Sequence, residues 1–126
     1  MKEKDFSILF RHWIKANPRF TCSIEMKDTR GKDSLPFSEV KQAQIDWALA
    51  ISSNKGVLMR TQAISEGMPD YVYLRNEPAY IVIKYPHQFS IITIGNFLHE
   101  KEKSKRKSLT KDRAEAIAVK TVKMTT

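Results

Sequence analysis

Apolar residues recur at helical spacing over residues 4–16, where Phe6, Leu9, Phe10, Trp13 and Ile14 share one face. Asp5 is placed to cap this helix, and Pro18 lies just past its end. Residues 19–27, RFTCSIEMK, alternate and carry β-favouring types, which predicts a strand. A polar loop over 28–37 closes on Leu35, Pro36 and Phe37. Ser38 is then expected to cap a second helix running to about Ile51, with Glu39 in its first turn. Its inward stripe reads Val40, Ala43, Gln44, Trp47, Ala48 and Ile51. Gly56 precedes a strand from Val57 to about Gln62. Apolar runs over 71–74 and 79–85 are joined by Arg75-Asn76-Glu77-Pro78, which resembles a hairpin turn. Phe89 to Thr93 is a further strand, and 95–101 a short helix. A last helix is expected over 111–121, capped by Thr110, with Ala114, Ile117 and Ala118 inward. The order αβαββββα predicts a mixed α/β domain with helices packed on a central sheet.

Length sets the scale. The 126 residues are room for one domain, read as 1–126 with a basic C-terminal segment over 101–126. A hydrophobic fraction of 41% beside 29% charged residues is that of a globular chain, not a disordered tail. Apolar runs reach about five residues, far short of the roughly 20 a membrane helix needs. Charges break up the first residues, MKEKDFSILFRHW, so no secretory leader is expected and no membrane partner. The single cysteine, Cys22, forms no internal disulfide, which suits a cytoplasmic protein, and a cysteine-rich zinc module is excluded.

Charge changes the picture more. The net charge is +8, and it is unevenly spread: residues 1–100 carry +2 and residues 101–126 carry +6. A basic end on a near-balanced body suits a polyanion such as DNA or RNA, although a solubilising tail has the same composition. Three polar features sit where core residues would otherwise go. In Glu25-Met26-Lys27, alternation points Glu25 and Lys27 to one sheet face and Met26 to the other. A carboxylate beside an ammonium can hold a divalent cation and keep a cation near a reacting phosphate, but Glu-x-Lys is also a common solvated pair. Gln44 lies on an apolar stripe, where an unpaired amide costs about 1–3 kcal/mol, so it calls for a partner unless it faces solvent. Asp70, in Met68-Pro69-Asp70, is either a turn residue or a second metal carboxylate. His12, His87 and His99 show no metal-ligand spacing, and no Gly-rich phosphate loop or serine elbow is present.

Together these features resemble the PD-(D/E)xK nuclease superfamily, and within it Holliday junction resolvases of the RecU and archaeal type, including phage-encoded relatives. The run SIEMKDTRGKDSLPFSEVKQAQIDWAL carries the likeness. In it a Glu-x-Lys strand leads through a Leu-Pro-Phe segment to a helix with an inward glutamine. The later FSIITIGNFLHEKEKSKRKSLTKDRAEAIA is similar to the closing strand, short helix and Arg-Lys-Ser-Leu segment of that group.

The resemblance implies a restriction-endonuclease-like fold, α/β, with a central mixed β-sheet flanked by helices. It implies a Mg²⁺- or Mn²⁺-dependent endonuclease acting on branched or double-stranded DNA, usually as a homodimer. Carried over by position, Glu25 is the motif carboxylate, Lys27 the motif lysine and Gln44 the helix glutamine beside the site. The Met26 backbone carbonyl joins Glu25 as a metal ligand, and an acid of the first helix, Glu3 or Asp5, often takes part. In most members an aspartate lies on the strand just before Glu-x-Lys. No acid stands between the first helix and Glu25 here, and Asp70 is expected to supply that ligand from another strand. Arg30, Lys32, Lys105, Arg106 and Lys107 are expected to contact the DNA backbone. The alternatives are a nicking or restriction-like nuclease, a non-catalytic DNA-binding relative, and a protein-interaction domain with a solubilising end.

Overall fold

The computed structural model describes residues 3–17, 23–61 and 70–124. Along the chain run α1 (Glu3–Ala16), β1 (Ser23–Asp28), β2 (Ser34–Pro36), a 3-10 turn (Phe37–Glu39) and α2 (Gln42–Ser52). β3 (Val57–Thr61), β4 (Asp70–Leu74), β5 (Ala79–Tyr85) and β6 (Gln88–Thr93) follow. The chain closes with α3 (Ile94–Lys103), β7 (Ser108–Thr110), α4 (Lys111–Ile117) and β8 (Lys120–Lys123). The central sheet has the order β1-β5-β6-β8. β1 runs parallel to β5, while β5–β6 and β6–β8 pair antiparallel. The fold is therefore mixed α/β, a mixed sheet with helices on both faces.

The sheet divides two apolar cores by the two-residue alternation of its strands. Ile81, Ile83 and Tyr85 of β5 face a cluster with Phe37, Val40, Ile45, Phe97, Leu109 and Ala114, beneath α2, α3 and α4. Val82 faces the other way, with Phe10, Phe89, Ile91 and Met124, beneath α1. Covered on both faces, β5 reads as the near-continuous run AYIVIKY rather than as an alternating one. On the α1 side Phe10 and Trp13 each meet Phe89 edge to face, with ring centroids 5.5 and 5.4 Å away.

Several sequence expectations are corrected. Arg75 to Pro78 is not a hairpin turn. β4 pairs with β3, and the chain crosses from that hairpin to the central sheet past the end of α2. The Asn76 amide donates to the Ser53 carbonyl (2.9 Å) and that of Glu77 to Ile51 (3.3 Å), which fixes the crossing. Ser38 does not cap α2: it lies in the 3-10 turn that buries Phe37, and Lys41 is the N-cap residue. Ala43 and Trp47 face solvent, and Ile45 takes the core position. The expected helix over 111–121 stops at Ile117, and β8 then pairs with β6. The loop over 28–37 contains β2, which pairs with β7. Cys22 lies outside the described residues.

Gly56 roots the β3–β4 hairpin. Its φ is +70°, and a Cβ there would lie 2.6 Å from that of Arg75. Gly56→Ala is expected to lower stability by at least about 1 kcal/mol, the cost of a left-handed alanine before any clash. Thermal denaturation measures it, and an unchanged midpoint would contradict the packing described.

Candidate active site

Glu25 and Lys27 are registered with Ile81 and Ile83, so they share the sheet face that α2 covers. The Thr29 amide donates to the Lys84 carbonyl (3.1 Å), which continues the β1–β5 ladder. In a parallel ladder successive residues turn their peptide groups to opposite edges. The amides and carbonyls of Met26 and Asp28 therefore point away from β5, toward the outer edge of β1. β1 is the end strand of its sheet, so this edge borders the cleft described next.

Gln44 ties α2 to this strand. Its Oε1 accepts from the Lys41 amide (2.9 Å), half of a capping box at the start of α2. Its Nε2 donates to Glu25 Oε1 (2.7 Å). The two bonds have opposite polarity, so they fix the orientation of the amide as well as its place. Lys27 Nζ stands 3.6 Å from the same Glu25 oxygen. The Lys27 side chain is 18% exposed and that of Glu25 39%. The ammonium is thus partly enclosed while the carboxylate remains open to a ligand.

Two clefts meet at Glu25. One, of about 410 Å³, is polar and lined by Glu25, Lys27, Asp28, Arg30, Lys32 and Glu39. The other, of about 270 Å³, is bounded by Glu25, Ala43, Gln44, Trp47, Ala48 and Tyr80. A tight turn shapes the polar cleft. The Lys32 amide donates to the Thr29 carbonyl (3.2 Å), and Arg30 and Gly31 take φ of 56° and 83°. Two successive left-handed residues make this a type I′ turn, unusual for an arginine. The Asp28 carboxylate holds it by accepting from the Arg30 amide (2.7 Å). Asp28 also stands 3.9 Å from Lys84, with both side chains under a tenth exposed.

The basic loop between α3 and β7 is stapled beside this cleft. β2 pairs with β7, and the Phe37 amide donates to the Lys107 carbonyl (2.9 Å). Lys105, Arg106 and Lys107 are all exposed. Behind the loop, Arg113 of α4 grips Glu100 of α3 through two bonds of 2.9 and 2.8 Å. That grip holds the Glu100 carboxyl below its ordinary value despite its burial. Tyr85, whose phenol burial pushes well up, donates to the Leu109 carbonyl (2.8 Å) and anchors β7 from below.

The structure brings Lys27 and Gln44 to the Glu25 carboxylate, and Arg30 and Lys32 line the cleft onto which it opens. Asp70 opens β4, on a different sheet from Glu25, and the side chains of Asp70, Glu3 and Asp5 lie outside the described residues. Asp28 and Glu39 also line the cleft and were not anticipated. Their signal was adjacency to the Glu-x-Lys strand and the Leu-Pro-Phe segment. Among the described residues no three His, Cys, Asp or Glu side chains gather as a metal cage. Mg²⁺ commonly takes one or two carboxylates with waters and substrate phosphate, and Glu25 is the carboxylate that lines both clefts. No helix among the described residues is long and apolar enough to cross a membrane. Comparisons with protein-family models, with curated proteins and with solved structures give no match for this chain.

The left-handed arginine gives a separable test. Arg30→Asn places a residue that tolerates φ > 0 in the same turn, so stability should hold or rise by up to roughly 1 kcal/mol. Affinity for a polyanion should fall, read by titration with duplex DNA at low salt. A loss of stability, or unchanged affinity, would contradict the role given to this turn.

Proposed function

We propose that this chain is a Mg²⁺- or Mn²⁺-dependent DNA endonuclease that hydrolyses phosphodiester bonds, with a restriction-endonuclease-like fold and branched DNA, such as Holliday junctions, as substrate. The observation that carries this reading is the Gln44–Glu25–Lys27 group. A carboxylate, held by a helix amide at 2.7 Å and flanked by an ammonium at 3.6 Å, opens onto a cleft with two more cations. A solvated surface pair would not need an amide fixed at both ends.

Phosphodiester hydrolysis adds water across a P–O bond and builds negative charge on the phosphoryl oxygens. Lys27 stands where it can orient the water and offset that charge. Glu25 and the Met26 carbonyl would hold the divalent ion, which supplies Lewis acidity when bound. Gln44 keeps Glu25 from swinging toward Lys27 alone. Arg30 and Lys32 seat the strand in the cleft, and Lys105, Arg106 and Lys107 extend the contact along its phosphates without reading bases. Such contacts select by shape, which suits a branched substrate.

We assign a second copy of the chain to the β3–β4 hairpin, making the working unit a homodimer. Leu58 and Tyr73 pair across this two-stranded sheet and are 64% and 54% exposed. A two-stranded sheet by itself is marginal in water, and a second copy packed on the Leu58–Tyr73 pair would cover it. A second functional reading, DNA binding without cleavage, is favoured by the lack of a three-ligand cage among the described residues.

Glu25→Gln decides between these readings. The new amide can still accept from Gln44, so the fold should survive. Cleavage of a four-way junction in Mn²⁺ should drop at least about 100-fold, as for loss of a main electrostatic contributor, while binding persists. A wild-type protein that binds junctions and never cuts them would leave the non-catalytic reading standing.

A further inference from the structure

Trp47 is the residue that the nuclease reading leaves unexplained. Helical periodicity places it on the inward stripe of α2, one turn beyond Gln44, yet it is 43% exposed. Large aromatic side chains left at a surface commonly serve recognition. Trp47 borders the second cleft with Ala43 and Ala48, whose small side chains leave a slot of about 270 Å³ beside the indole. Glu25 lines this slot and the polar cleft alike, so the apolar slot opens directly off the place where the scissile phosphate would sit. Among the described residues no lysine or arginine lines the slot, whereas Lys27, Arg30 and Lys32 line its neighbour. One cleft has the chemistry of a sugar-phosphate chain, and the other that of a flat, uncharged ring.

We infer that the Trp47 slot is a binding subsite for one unstacked nucleobase, belonging to the nucleotide whose phosphate lies at Glu25. This deepens the nuclease reading and rests on it. Bases inside a continuous duplex are stacked on their neighbours and have no free face to offer. A base at a branch point or in a single strand has one, and stacking on an aromatic ring accepts any of the four. The subsite therefore supplies selection for unpaired or branched DNA without sequence readout. It adds to the shape selection that the backbone contacts give.

The test uses the full chain carrying Trp13→Phe, so that emission comes from Trp47. It is titrated with a single-stranded thymidine oligomer of about ten nucleotides, within the site sizes usual for such strands. A matched abasic tract of equal charge serves as the control. Quenching by the oligomer and not by the abasic tract is expected. In the otherwise wild-type chain, Trp47→Ala should weaken oligomer binding roughly ten-fold, with Trp47→Phe keeping most of the affinity. Equal quenching by both probes, or unchanged affinity in Trp47→Ala, would overturn the subsite. So would a changed oligomeric state of Trp47→Ala in sedimentation, which would make the slot a contact between copies. The two readings fail separately. Junction cleavage that survives with no base-dependent quenching sinks the subsite alone. Base-dependent quenching in a protein that never cleaves sinks the nuclease and leaves a single-strand binding site.

Discussion

The bond from Gln44 to Glu25 is the constraint on which the site depends. It joins the first turn of α2 to the end strand of the central sheet at 2.7 Å. A hydrogen bond to a charged group contributes about 1.5–3 kcal/mol, less where water competes, as it does at this half-exposed carboxylate. Its larger effect is geometric. Gln44 is also bound to the Lys41 amide, so the carboxylate inherits the position of the helix start. Ile45, the next residue, is buried against the sheet and sets that position in turn. Core packing therefore aims Glu25, and Lys27 follows because it shares the strand and the face.

The same logic places the cations. The Thr29–Lys32 turn is left-handed at Arg30, a conformation costing about 1–2 kcal/mol outside glycine. The Asp28 carboxylate and the buried Thr29 hold it, the latter through its hydroxyl on the Lys84 carbonyl (2.9 Å). Across the β2–β7 ribbon, the basic loop is tied at Lys107 and backed by the Glu100–Arg113 clasp. Strands of three residues could not stand alone in water. They persist here because Leu35 and Leu109, directly paired, both sink into the core. Two segments distant in sequence, the Thr29–Lys32 turn and the basic loop, are thus joined through β2 and β7.

What could be read in advance follows from how local each signal is. The helix over 3–16 and the strand at 79–85 declare themselves through their own apolar residues. Glu25, Lys27 and Gln44 were legible because strand alternation and helix spacing are local rules, and the likeness to a nuclease motif grouped them. β2, β7 and β8 were not legible, since three- and four-residue strands are specified by partners far along the chain. Arg75 to Pro78 looked like a hairpin turn because it has turn chemistry between two apolar runs. Only the pairing of β4 with β3 shows that those runs belong to different sheets. Trp47 was misplaced for a related reason. Periodicity names a face, and it cannot tell whether that face ends in the core or at the mouth of a cleft.

The most direct test of the account is the position of Mn²⁺ by anomalous scattering in a crystal of the protein soaked with the ion. A peak is expected within about 2.0–2.6 Å of the Glu25 carboxylate, the range for oxygen ligands of such cations, with the Met26 carbonyl and Lys27 adjoining it. A fully soaked crystal with no peak at Glu25, or with the ion held elsewhere on the chain, would contradict it.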